Sequence, residues 1–209
     1  MLAQKKSIYL FAIFAAIVVG VFSYHLALDG PLVLDDWHNV QSAQLEELSL
    51  AEIRRVTGNN TSGPLGRPIP VATFAINNWF SDGGVYSLKV TNLLLHVLNF
   101  ILVFWFLYLL LEKVSEHDRR YSFSGWRWVA LISAVYWVLH PLHMSTVMYV
   151  VQRMTIMSTT FTLLALITYL NFRPLSSSPF RTAVWLGSVF LLAMLSAFCK
   201  EIGLSLIHI

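Results

Sequence analysis

The polar residues whose types and spacing could do chemistry are few, and they cluster at the ends of long apolar runs. Asp35 and Asp36 adjoin in Leu34-Asp35-Asp36-Trp37-His38, directly after the first such run. A carboxylate there could deprotonate an acceptor hydroxyl, bind a cation, or steady the positive charge that develops on a sugar during glycosyl transfer. The pair also reads as a solvated turn, since acidic residues just beyond a span are not in lipid. Arg153 lies in Tyr149-Val150-Val151-Gln152-Arg153-Met154, with apolar sequence on both sides. An arginine inside a span costs about 2.5–3.5 kcal/mol and needs a partner or a wet cavity. A lipid-linked phosphate, gripped bidentately, is one such partner. Snorkelling to the membrane surface is the other solution.

Lys200-Glu201 follows an apolar run and reads either as an ion pair at a helix end or as a phosphate-binding lysine held by its neighbour. Asn92 and His96 are four apart, hence on one helix face, and could equally serve contacts between helices. His140-Pro141-Leu142-His143 holds two imidazoles around a proline. No third ligand accompanies them at helical spacing, which favours an interfacial turn over a metal site. Asn59-Asn60-Thr61 and Asn60-Thr61-Ser62 match the glycosylation acceptor pattern, a weak signal in such a loop.

The elements that must position these groups are membrane helices. Apolar residues make up 56% of the chain, charged residues 12%, and the mean hydropathy is +0.64, far from a soluble domain with about a quarter charged. The formal charge of +3 is scattered between apolar runs, which excludes a nucleic-acid interface. One cysteine, Cys199, excludes an intrachain disulfide. Hydropathy predicts an all-α polytopic bundle with spans at about 8–28, 86–111, 128–139, 144–170 and 182–199. The first run lacks a small-x-small cleavage site and is read as a retained helix.

Residues 29–85 form the long loop. Ser49 with Glu52 three residues on predicts a capped helix over Leu48 to Val56, and Gly58 to Pro64 is loop. Arg67-Pro68-Ile69-Pro70 leads into Val71 to Phe80, expected to lie in the interface. With the N-terminus inside, Lys5, Lys6, Lys113, Arg119, Arg120, Arg127, Arg173 and Arg181 all fall on the cytoplasmic side, as the positive-inside rule requires. The chemically capable residues then gather on the opposite, outer side.

Six blocks in order over residues 34–203 carry a resemblance. They are Asp35-Asp36, Arg67-Pro68, Tyr86 to Leu98 with Asn92 and His96, His140 to His143, Val150 to Met154, and Cys199-Lys200-Glu201-Ile202-Gly203. Together they resemble the N-terminal half of the polytopic C-type glycosyltransferases, and among them the tetratricopeptide-repeat membrane proteins related to protein O-mannosyltransferases. The resemblance implies transfer of a sugar from a polyprenyl-phosphate donor to a protein or glycan hydroxyl on the extracytoplasmic side, in a bacterial inner membrane the periplasmic face. It implies a base at Asp36 or Asp35, with Asp36 preferred. Lipid phosphate would be met by Arg153 and Lys200, with Glu201 and Arg67, and supported by His96, Asn92, His140 and His143. Some such relatives use a divalent cation and others none, so the cofactor stays open.

The sequence departs from the family in length. Relatives continue through further spans and often into helical repeats, and no 34-residue repeat is present. The closing hexapeptide Leu204–Ile209 is what one frame of a transposon-end sequencing adapter encodes. Residues 204–209 are therefore expected to be foreign, and 1–203 a truncated, inactive N-terminal part. The rival readings are a transporter and a non-catalytic assembly scaffold. Transporters place ionisable groups near the bilayer midplane, whereas here they gather at one face.

Overall fold

The computed structural model describes residues 2–60, 62–64, 66–117, 125–172 and 178–208, and among these every regular element is helical. Arg119, Arg120 and Arg173 of the orientation argument, Thr61 of the glycosylation pattern and Ile209 lie outside the described residues, as do the side chains of Lys5 and Lys6. The helices are α1 (Leu2–Tyr24), α2 (Asp36–Ser42), α3 (Leu50–Gly58), α4 (Pro68–Ser81), α5 (Val85–His117), α6 (Trp126–Val138), α7 (His143–Met148), α8 (Arg153–Asn171) and α9 (Pro179–Cys199). Short 3₁₀ turns occupy His25–Ala27, Val150–Gln152 and Glu201–His208.

Four segments, Ile8–Ala27, Val85–Glu116, Val150–Asn171 and Pro179–Cys199, are long and apolar enough to cross a bilayer. At 1.5 Å per residue, about 20 residues cover the ~30 Å hydrocarbon core. The chain is thus an all-α polytopic membrane protein. Half of the α8 window is buried against 17% for α1 and α9, which makes α8 the central post.

Helix directions follow from the contacts. Tyr9 meets Trp128 with ring centroids 4.4 Å apart, and Gly20 lies beside Leu139, so α6 runs parallel to α1. At 13 residues α6 is short, because Pro141 lacks an amide donor and biases His140 out of helical geometry. The chain turns there, with the His143 amide donating to His140 O at 3.0 Å, and α7 completes the climb. Beside α5, α8 runs back. Asn99 Nδ2 donates to Ile156 O at 2.9 Å near one end, and Leu102 and Leu109 pack with Leu163 and Ile167 toward the other. The return along α8 is made by α9, from Trp185 Nε1 on Thr168 O to Ser196 Oγ on Ser158 O.

The long loop folds into a cap over one end of the bundle, here called the cap end. Its core joins Val40, Ala43, Val56, Val71, Phe74 and Ala75 to Leu88, Val150 and Met154. Ser49 caps α3 by accepting the Glu52 amide at 3.2 Å. Helix α4 opens with Pro68 in its first turn, where the missing donor carries no penalty. Val71, Phe74, Ala75 and Asn78, spaced at i, i+3, i+4 and i+7, are buried, so α4 presents that stripe to the bundle. Trp79 and Phe80 remain exposed.

Candidate active site

Sequence reading makes 144–170 one span, with Arg153 inside it. The chain is instead broken at Tyr149 (φ −84°, ψ 108°), and Arg153 is the first residue of α8. Two side chains hold the break by taking over backbone groups that a continuous helix would satisfy itself. Asp36 Oδ1 accepts the Val151 amide at 2.7 Å, while its Oδ2 accepts Val33 N–H at 3.1 Å. From α5, Asn92 Nδ2 donates to Val147 O and Val150 O at 3.2 Å each.

Asp36 is fully buried. Burial pushes its carboxyl above the usual aspartate range, against the backbone amides and the Lys89 charge that pull it down. Both oxygens are committed to amides. The two candidate bases of the sequence reading are thus placed differently, with Asp36 accepting backbone amides inside the wall and Asp35 beside Tyr149 at the surface. Leu34 turns the chain through a left-handed φ of 49°, which costs a branched residue strain and separates the fates of the two aspartates. Asp35 is exposed to the cavity described below, and its amide donates to Tyr149 Oη at 3.2 Å.

Arg153 does not line the cleft described below. It is fully buried, Nε donates to Asn92 Oδ1 at 2.8 Å, and Nη2 donates to Asn77 Oδ1 and Leu88 O at 2.9 Å each. A longer contact joins Nη1 to Thr73 Oγ1 at 3.4 Å, and the guanidinium stands 4.5 Å from the Phe74 ring centroid. Among the described residues its hydrogen-bond partners include no carboxylate. Neutral oxygens and a ring face hold the charge, and the fork shape of the guanidinium lets one side chain tie α4, α5 and α8 together.

The groups that do converge line a cleft of about 450 Å³ at the cap end, walled by Asp35, His38, Asn39, Arg67, Gln152 and Lys200 among others. Lys200 Nζ donates to Thr155 Oγ1 at 2.7 Å and to Gln152 Oε1 at 3.4 Å. Burial lowers its ammonium from the ordinary lysine range, and Arg67 adds to the effect. Arg67 adopts φ 45° at the N-terminus of α4 and pairs with Glu201, Nη2 to Oε2 at 2.8 Å. The Lys200-Glu201 pair of the sequence reading is thus not an ion pair with itself. Glu201 turns to Arg67, and Lys200 keeps neutral partners. Ser62 Oγ bonds Asn39 Oδ1 across the cleft wall.

His96, His140 and His143 gather elsewhere, at the junction of α6 and α7. His96 Nε2 meets Val138 O at 3.2 Å, and its ring centroid lies 5.1 Å from those of both Trp137 and His143. His140 Nδ1 accepts the Leu142 amide at 3.3 Å. These rings pack around the break at Pro141 and do not line the cleft. Among the described residues no group of three or more His, Cys, Asp or Glu is placed to hold a metal ion.

Sequence reading missed Lys89, Asn77, Tyr149 and the Gln152–Thr155 pair. Lys89, which sequence reading counts with Arg54, Arg55 and Arg67 on the outer side, is buried and donates to Ala27 O and Gly30 O at 3.0 and 2.8 Å. It satisfies carbonyls of the 3₁₀ turn after α1 and of the loop beyond it. The one available signal was its position four residues into an apolar run.

Fold and cleft define a polytopic α-helical membrane protein with a carboxylate and two cations in one cavity at an end of the bundle. The chain is similar to protein O-mannosyl-transferase TMTC3 of Mus musculus, 28% identical over 146 residues. It is 27% identical to the Homo sapiens protein of the same name over the same length. The match covers 68% of this chain and 14% of each relative, so the chain spans a small part of the curated proteins it matches. The similarity supports a distant relation to that family. No family model matches the chain, and no solved structure matches it.

Proposed function

We propose that the protein is a glycosyltransferase that moves a sugar from a polyprenyl-phosphate donor to a protein or glycan hydroxyl, with the cap end on the extracytoplasmic side. The observation that carries this reading is the cleft itself, where Asp35 faces the same space as Arg67 and Lys200. Similarity to proteins named as O-mannosyl-transferases points the same way.

Asp35 takes the proton of the acceptor hydroxyl as its oxygen bonds to the anomeric carbon. The bond from that carbon to the phosphate oxygen breaks, its electron pair leaves with the phosphate, and the anomeric configuration inverts. Arg67 and Lys200 stabilise the charge that grows on the leaving phosphate. Asp36, Asn92 and Arg153 keep the walls in place, Arg153 in this capacity rather than as a phosphate ligand. An open apolar trough of about 690 Å³, lined by Pro31, Leu34, Leu142, Met144 and Met148, shares Tyr149 with the cleft. It offers a path for the polyprenyl chain.

The test is transfer from a panel of polyprenyl-phosphate hexoses, in the full chain and in a longer relative carrying the same aspartate. Asp35→Asn is expected to lower transfer about 10²–10⁴-fold with donor binding retained. Full activity in that variant overturns the mechanism.

A further inference from the structure

An internal carboxylate already sits on the cation that the donor reading needs. Glu201 contacts Arg67 with both oxygens, Nη2 to Oε2 at 2.8 Å and Nε to Oε1 at 3.4 Å. This is the side-on fork geometry that a phosphate also satisfies. Neither partner is sealed in, the side chains keeping 22% and 29% of their exposure. The pair lies directly under Gly63, at φ 74°, where an added Cβ would strike the Glu201 carboxylate and come within 2.9 Å of Arg67 Nη2. Lys200, one residue before Glu201, carries its charge against two neutral oxygens. Glu201 is therefore paired with Arg67, and the hydrogen-bond partners of Lys200 among the described residues are neutral.

We propose that Glu201 is an exchangeable internal anion, filling the Arg67 fork while the cleft is empty and yielding it to the phosphate of a lipid-linked ligand. The proposal rests on the donor reading above. A sugar phosphodiester carries one negative charge, as does the glutamate, so the exchange leaves the charge around Arg67 and Lys200 unchanged. A phosphomonoester product carries more and holds both cations harder. Glu201, tethered at the cleft edge, competes with it for Arg67 and so promotes its release. Glu201 thereby tunes which anion the cleft retains.

The experiment titrates the full chain in detergent with decyl phosphate, and separately with inorganic phosphate, following tryptophan fluorescence. Glu201→Gln is expected to bind decyl phosphate about fivefold more tightly, the scale of a partly exposed ion pair removed. Arg67→Gln is expected to cancel that gain when combined with it. Should Glu201→Gln not fold, Glu201→Asp, whose shorter arm reaches the fork poorly, is expected to shift binding in the same direction. Unchanged or weaker binding in the Glu201 variants overturns the exchange and makes Glu201 a support for Arg67. Wild-type affinity in both Arg67→Gln and Lys200→Met overturns the donor reading itself, whatever the Glu201 variants do. Equal affinity for inorganic phosphate preserves the exchange and overturns the lipid source.

Discussion

Two arginines stand at the cap end within reach of the same methionine-bearing turn of α8, and they do opposite work. Arg153 is fully buried and spends its donors on Asn92, Asn77, Leu88 and Thr73. Arg67 is partly exposed, strained at φ 45°, and held by the Glu201 carboxylate with a contact to Met154 Sδ at 3.4 Å. A buried cation with several fixed neutral acceptors has no cheap alternative partner, because leaving them uncovers each one. A partly exposed cation with one partly exposed carboxylate partner does. The contrast separates scaffold from site more sharply than residue type or position in the sequence.

The contrast breaks most visibly at Arg153. Arg153→Met removes the donor to two buried acceptors, Asn92 Oδ1 and Leu88 O, and two part-buried ones, Asn77 Oδ1 and Thr73 Oγ1, at about 1–3 kcal/mol for a buried group left unsatisfied, and is expected to abolish folded protein in thermal scans. Arg67→Gln is expected to leave the melting temperature nearly unchanged. If Arg153→Met folds normally and only loses donor affinity, the assignment of the two arginines is reversed.

The aspartates repeat the lesson one residue apart. Asp35→Asn is expected to lose transfer while melting like the wild type. Asp36→Asn presents an amide where Val151 N–H seeks an acceptor, and is expected to destabilise by about 1–3 kcal/mol. Size-exclusion profiles and melting curves of the two variants side by side decide between them. Lys200→Met is expected to lower turnover about 10²–10³-fold through loss of leaving-group stabilisation. Substrate saturation curves show whether that loss lies in kcat.

The smallest effect is on pH. Asp36 has its folded pKa raised by burial, so its contribution favours the fold below the ordinary aspartate value and is lost as pH rises through the folded pKa. For Glu201, partial burial works upward, but hydrogen bonding from Arg67 and the nearby positive charges hold the carboxyl below the usual glutamate range. Its contribution is present above the ordinary glutamate value and is lost as pH falls through the folded pKa. Subtracting the stability curve of Asp36→Asn from the wild type should therefore slope opposite to the same subtraction for Glu201→Gln.

Much of the scaffold was legible in the sequence. Apolar runs marked α1, α5, α8 and α9, Ser49 with Glu52 marked the start of α3, and Pro141 marked the end of α6. Legibility failed where a tertiary hydrogen bond replaced a local one. Nothing near Tyr149 announces a break, because Asp36 and Asn92, 115 and 58 positions from the groups they serve, impose it. The same distance hid the roles of the two aspartates. Asp35-Asp36 pointed to chemistry by type alone, but only a partner 115 positions along the chain shows which carboxylate accepts a backbone amide. Lys89 misled for a related reason, since its acceptors are carbonyls that carry no side-chain signal.

The Asp36–Val151 bond also carries a consequence for how the protein is made. Its acceptor leaves the ribosome 115 residues ahead of its donor, a delay of about 6 to 23 s at 5–20 residues per second. During that interval the first span and the chain that follows it are in place while the segment that will lock them does not yet exist. The acidic turn is a late-setting joint, fixed by the arrival of α8 in the membrane rather than by its own sequence.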